Sequence, residues 1–233
     1  MDDLTFRDLR AFVDRLRQDG DLAVVDAPVD ANLEVAEIHR RVIAAGGPAL
    51  LFTDVRGADF PLVTNLFGTA RRAEMAFGRR PLRLVRRLVE LAETLLPPSA
   101  GKLWEARDLA REALRIGTRR RASGPVTEVV TSEPRLDRLP ALRTWPDDGG
   151  PFVTLPLVYT EHPEKGGPNL GMYRLQVYDD RTTGMHWQIG KGGGFHHACA
   201  ERIDRPLPVT VFLGGPPALI LAAIAPLPEN CLL

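Results

Sequence analysis

Apolar residues recur at two different spacings along this chain. Phe6, Leu9, Phe12, Val13 and Leu16 fall three or four residues apart before Gly20, the period of one helix face. Thr5 with Asp8 three residues later resembles a capping box for that helix. LAVVD, residues 22–26, then reads as a short strand. Asn32 caps a second predicted helix, with Ile38 and Val42 on its buried face and Gly46-Gly47-Pro48 at its end. ALLFTDV and PLVTNLF are strand-like, so residues 1 to about 68 form a predicted small α/β unit. From Arg71 to Arg121, interrupted at Pro97-Pro98, leucines recur between charges at helical spacing, which predicts amphipathic helices lying over another surface.

After Ser123-Gly124-Pro125 the period shortens. TEVV, FVTLPLVYT, LGMYRLQVY, GMHWQI, VTVFLGG and ALILAAIA are separated by proline, glycine and Asx-rich turns, the pattern of a barrel or sandwich. DDRTTG, Asp179 to Gly184, is the clearest hairpin connection. The expected class is α+β: an N-terminal α/β domain with arginine-rich helices over residues 1–122, then a strand-rich domain over residues 123–233.

Composition narrows the function classes. The 233 residues are 44% hydrophobic and carry 30 basic and 30 acidic side chains, an ordinary globular balance with no net field to attract a polyanion. Glutamates are interspersed among the arginines and no aromatic stacking set accompanies them, which argues against a nucleic-acid partner and for a solvated or oligomer-facing helix surface. The acidic N-terminus lacks a signal-peptide pattern, and the apolar stretch around Pro217 to Pro228 is too short and proline-rich to span a bilayer. Cys199 and Cys231 have neither metal nor redox spacing and read as small apolar residues in a reducing cytoplasm.

The chemistry concentrates between Asn169 and His197. Alternation in a regular strand puts Asn169, Gly171, Tyr173 and Leu175 on one face, and Met172, Arg174 and Gln176 on the other. Asn169 and Arg174 then serve different ends of a site unless a bulge at Gly171 unites them. On the return strand His186, Gln188 and Gly190 share a face. Gly192, Gly193 and Gly194 follow as a side-chain-free stretch able to bring backbone N–H groups to an anion or a flat ring. His186, His196 and His197 lack ligand spacing and read as partly exposed loop histidines. Gly190-Lys191-Gly192 is not a P-loop, because its upstream glycine spacing is wrong and no Ser or Thr follows the lysine; GxGxxG, HExxH and Gly-x-Ser-x-Gly are absent.

Four ordered blocks carry a family resemblance: LTFRDLRAFVDRLRQDGDLAVVDAPVD, PALLFTDVRGADFPLVTNLFG, NLGMYRLQVYDDRTTGMHWQ and PLPVTVFLGGPPALILAAIAPLPE. Together they resemble the N-terminal and flavin-binding portion of the UbiD-like decarboxylases, which use prenylated flavin mononucleotide (prenylated FMN). The resemblance implies that residues 123–233 form a split β-barrel, incomplete here, with ENCLL a truncated or altered end. It also implies non-oxidative, reversible decarboxylation of an aromatic or α,β-unsaturated carboxylic acid. By position, Arg174 is similar to the family's catalytic arginine, which orients a carboxylate beside the flavin. Thr154, Gly171, Met172, Tyr173, Gln188, Lys191 and Pro226 match positions around the flavin or its tail. Asn169 matches the amide ligand of a divalent ion, usually manganese. Ala222, Ala223 and Ala225, with Pro226, match the segment whose backbone faces a potassium or sodium ion. Implied partners are the acid substrate, a flavin prenyltransferase that supplies the cofactor and, at full length, further copies of the chain.

Two departures accompany the resemblance. The family's histidine ligand falls at Gly190, which leaves His186 or His196 to replace it, and the glutamate ligand falls at about Leu233. Loss of two of three protein ligands admits a non-catalytic homologue as an alternative, and an ordinary split-barrel FMN oxidoreductase as a second. An incomplete barrel is further expected to expose strand edges and to associate.

Overall fold

The structure, a computed structural model, describes residues 6–78, 107, 122–188 and 190–224. The chain forms two compact units, one of Met1–Leu4 with Phe77–Glu133 and one of Thr5–Ala76 with Pro134–Leu233. In the first, the described segment after Ser123 holds a 3-10 turn, Pro125–Thr127. Thr127 Oγ1 closes it, accepting the Gly124 N–H at 3.1 Å and donating to the Gly124 carbonyl at 2.8 Å. The expected strand TEVV is therefore absent: β-branched residues need a neighbouring strand to pack on, and Val129 and Val130 stand exposed.

The second unit begins with helix α1, Leu9–Gln18, whose N-cap is Asp8: its carboxylate accepts the Ala11 N–H at 2.8 Å. Thr5, the other half of the expected capping box, lies outside the described residues. Strands β1 (Leu22–Val25), β2 (Ala49–Phe52) and β3 (Leu62–Thr64) form a sheet in that order, β1 parallel and β3 antiparallel to β2. Helix α2, Glu34–Ala44, makes the parallel crossover. Its first residue follows Leu33 at φ 70, so Asn32 is not the cap; Asp30 instead accepts the Asn32 N–H, while Glu34 accepts that of Asp30. Val35, Leu50, Phe52 and Leu142 share one core, and Phe12, Leu16, Ala49 and Leu66 a second.

Helix α3, Ala70–Phe77, opens the arginine-rich region; within residues 79–121 only Arg107 is described. The expectation of a solvated surface fails at Arg72, which is 1% exposed and paired with Asp21 at 2.8 Å. Burial of a guanidinium needs a partner of this kind.

The remaining strands form two more three-stranded sheets, β4-β7-β8 and β6-β5-β9. Their members are β4 (Phe152–Val153), β5 (Pro156–Glu161), β6 (Pro168–Met172), β7 (Leu175–Val177), β8 (Thr183–Met185) and β9 (Val209–Leu213). No closed barrel is formed among the described residues. FVTLPLVYT and LGMYRLQVY, expected as single strands, each divide between the two sheets, and GMHWQI contributes only its first residues, to β8. The hairpin DDRTTG stands where expected, with the Asp179 carboxylate accepting the Arg181 and Thr182 N–H groups. Two segments not expected as helices are helical: Gly192–Arg202, whose glycines and histidines suggest a loop, forms α4, and Pro217–Ala222, which takes in most of the expected strand ALILAAIA, forms α5. A uniformly apolar run such as ALILAAIA carries no period, and Pro217 in the first turn favours helix. Among the described residues no helix is long and apolar enough to cross a membrane.

Candidate functional site

The two divided strands change sheet at the same place. Val153 pairs with Leu175 and Leu157 with Met172, so the three residues Thr154, Leu155 and Pro156 stand opposite the two residues Tyr173 and Arg174, with Pro156 paired to Leu213 of β9 on its other side. This is a bulge of one residue in Thr154–Pro156, opposite Tyr173–Arg174, and none lies at Gly171, which pairs regularly with Val158. Pro156 suits the position because it has no ladder N–H to give. The corner brings Thr154, Met172, Tyr173 and Arg174 together from two strands that the chain order separates.

Arg174 is exposed at this corner, with its guanidinium carbon 4.6 Å from the centre of the Phe152 ring. Lying over an aromatic face orients the planar fork before any ligand arrives. Asp148 is close enough to feel that charge. Its carboxylate is held below the usual range, first by the Thr144 hydroxyl, then by the Trp145 and Thr144 N–H groups, and least by Arg174. The Arg174 carbonyl accepts the His186 N–H at 3.2 Å, which ties the corner to the return strand.

Tyr173 points the other way. Its ring is buried, crosses edge-on to Trp187 at 5.0 Å, and leaves no room for a side chain at Gly171. Its hydroxyl accepts the Gly193 N–H at 2.9 Å. The glycine run is therefore not a loop; it is the first turn of α4, seated on Asn169, Tyr173 and Trp187. A Cβ at Gly193 would stand 2.6 Å from Trp187 and 2.9 Å from the Tyr173 ring, one at Gly194 would stand 2.6 Å from the Gln188 carbonyl oxygen, and one at Gly192 would strike the Asn169 amide oxygen. Asn169 Nδ2 is buried there with no hydrogen-bond partner. Asn169 and Arg174 consequently occupy opposite sides of one strand course, as alternation requires.

Lys191 holds the N-cap position of α4, its N–H 3.2 Å from the Gln188 carbonyl; both side chains are exposed. Gly190 takes φ 80 in open space, a conformation a histidine adopts only with strain. His196 does not supply the missing imidazole. It is buried on α4 with Nδ1 2.9 Å from Thr160 Oγ1 and its ring 5.4 Å from that of His162, whose Nδ1 accepts the Glu164 and Lys165 N–H groups. His186 is exposed. Among the described residues no three His, Cys, Asp or Glu side chains gather as a metal cluster. Among the described residues the donor set around the neutral Asn169 amide does not make up a site that fits a divalent ion. An unpartnered amide beside a glycine-lined helix N-terminus does fit a phosphate-bearing flavin.

Ala222 and Ala223 stand at the last residue and C-cap of α5, a terminus whose carbonyls lack intrahelical donors. Ala225, Pro226, Cys231 and Leu233 lie outside the described residues. Sequence reasoning missed Trp187, Asp148 and the Thr160–His196–His162 contact. A signal for α4 was present: Gly193, His196, Cys199 and Ala200, the residues it buries, recur at three and four.

Sequence models of two UbiD domains match this chain: the 3-octaprenyl-4-hydroxybenzoate carboxy-lyase N-terminal domain over residues 13–92 and its Rift-related domain over residues 118–232. The chain belongs to the UbiD family. A Chlamydia pneumoniae relative, named as one subunit of a 4-hydroxybenzoate decarboxylase, is 49% identical over 222 residues, covering 95% of this chain and 38% of the relative. An Archaeoglobus fulgidus relative is 40% identical over 234 residues, 97% of this chain and 47% of its own. Among solved structures, the UbiD-class enzyme HmfF of Pelotomaculum thermopropionicum in complex with FMN aligns with TM-score 0.72 and 25% identity over 93% of this chain and 44% of that one. Vanillic acid decarboxylase of Sedimentibacter hydroxybenzoicus shares the fold, with TM-score 0.77 and 23% identity over 97% of this chain and 47% of that one. The UbiD-family chain thus spans between about two fifths and half of the proteins it resembles.

Proposed function

We propose that this chain is the flavin-binding portion of a UbiD-type decarboxylase acting on an aromatic or α,β-unsaturated carboxylic acid, reversibly and without net oxidation. The observation that carries this reading is the shared corner, where two strands change sheet and Thr154 meets Met172 and Arg174, while Tyr173 turns to the glycine cradle on the other face. Residues 123–233 are read as the split-barrel domain, its two halves being the sheets joined at that corner, after residues 1–122 as the N-terminal domain. Asn169 Nδ2, the first turn of α4 and Lys191 would hold the phosphate tail, while Met172, Gln188 and Thr154 would flank the ring. Prenylated FMN, when bound, supplies an electron sink. Arg174 contributes by orienting the substrate carboxylate bidentately from its seat on Phe152. The α5 terminus would offer carbonyls to potassium or sodium. A cytoplasmic site of action, cofactor supply by a flavin prenyltransferase and a homo-oligomeric full-length enzyme belong to the same reading.

A titration with FMN and with prenylated FMN, followed by flavin fluorescence, tests it. Saturable quenching by the wild type, weakened about tenfold or more by Asn169→Ala, is expected. Arg174→Gln is expected to keep flavin affinity and to lose carbon dioxide release by about 100-fold. Absence of any flavin binding would overturn the proposal. One observation favours a second reading, a non-catalytic homologue: Gly190 at φ 80 stands where the family's histidine ligand aligns. Gly190→His separates the two, since gained manganese binding indicates a vestigial metal site and no gain indicates a cradle rebuilt without one.

A further inference from the structure

A cleft of about 920 Å³ lies between α2 and the segment around Trp145, and at one end it reaches Thr154 and Leu155 of the corner. Its lining includes Leu62, Val63 and Thr64 in succession, the whole of β3. Successive strand residues point to opposite faces, so a cleft that touches all three runs along the strand's edge. That edge is open: β3 pairs with β2 and is last in its sheet among the described residues. Three lining residues carry buried polar atoms with no partner, His39 Nδ1, Thr64 Oγ1 and Asn65 Oδ1. The walls are otherwise apolar, and at the rim Arg40 is already neutralised by Glu37 at 2.7 Å.

We infer that this cleft receives an extended, uncharged segment from the remaining length of a UbiD-type polypeptide, which adds as a fourth strand to the edge of β3. Three observations select this occupant. An open strand edge presents unpaired backbone groups that another strand satisfies. Apolar walls on both sides, Ile43 of α2 and Trp145 opposite, suit side chains that alternate left and right along an extended chain. Relatives nearly half identical to this chain continue for more than its own length again, since the match covers 95% of this chain and 38% of the relative. The occupant rests on the family's length and the β3 edge, and the flavin reading on Asn169, the first turn of α4 and Arg174; the two share only Thr154 at the end of the cleft, so each can fail alone.

The test uses this chain with short overlapping peptides that tile the unmatched part of the Archaeoglobus relative, at concentrations up to about 1 mM. Trp145 is 62% exposed in the cleft, so an occupant shifts its emission to the blue. One peptide is expected to do so saturably and to slow amide exchange across residues 62–66 about tenfold, leaving residues 171–173 unchanged. Ile43→Glu, at a position 45% exposed and outside the core, is expected to weaken that peptide about tenfold without altering flavin quenching. The inference is overturned if no peptide protects β3, or if an aromatic carboxylic acid fills the cleft instead, shifting Trp145 without protecting residues 62–66.

Discussion

The three glycines at the start of α4 do different work from the glycine before them. Gly193 is wedged between two rings, so Gly193→Ala forces Trp187 or Tyr173 to move and is expected to lower stability by about 1–3 kcal/mol. Gly190 has open space but a positive φ, and Gly190→Ala is expected to lose only about 1 kcal/mol. Urea midpoints of the two variants check the order. Gly193→Ala should also weaken flavin binding, because its N–H bond to Tyr173 fixes the helix terminus, whereas Gly190→Ala should not. His196 gives a residue-scale prediction of another kind. Burial, and after it His162, hold its pKa below the ordinary 6.5. The unfolded chain therefore takes up the proton first, so the stability is fully present above 6.5 and drains away as pH falls below it. Urea midpoints from roughly pH 7.5 to 5.5 are expected to fall, and His196→Gln should flatten part of that slope. The rest persists because burial lowers the pKa of His39 as well.

Elements with a local cause were legible in the sequence. The α1 face repeats at three and four, β1 and β2 are short β-branched or leucine-rich runs, and Asp179 closes its own hairpin through side-chain acceptors. What sequence concealed depends on distant partners. TEVV has strand propensity but, among the described residues, no strand beside it, and ALILAAIA is apolar on every side, so period says nothing about it. The division of LGMYRLQVY at Tyr173–Arg174 arises opposite a bulge in Thr154–Pro156, about twenty positions earlier, and no local window contains both. For the site, the resemblance supplied the residues and alternation separated Asn169 from Arg174. The glycine run misled because three glycines suggest a loop; its helix is stabilised by rings packed where side chains would otherwise stand. The Asp8 cap gives an element-scale check: Asp8→Ala is expected to destabilise the unit by about 1 kcal/mol, read as a lower urea midpoint with unchanged flavin affinity.

At the scale of the whole molecule, two sheet edges and the neutrality of the surface act together. The 30 basic and 30 acidic side chains cancel, so no long-range repulsion keeps copies apart near neutral pH. Among the described residues strand β9 is an outer strand of its sheet, and Val209, Val211 and Leu213 project from it with 38, 40 and 52% of their surface exposed. An apolar edge strand is a template for pairing with another chain unless a charge or proline blunts it. The chain is thus expected to self-associate with rising concentration, and sedimentation velocity should show a growing dimer or larger species. Val211→Lys adds one charge at the middle of that edge, where it opposes the docking of a second β9 without entering the core. The weight-average sedimentation coefficient of this variant is expected to become nearly independent of concentration, while Ile43→Glu, which charges the cleft beside β3, leaves association unchanged. If both substitutions instead abolish association equally, the copies meet through the β3 cleft as well, and the edge of β9 alone does not drive it.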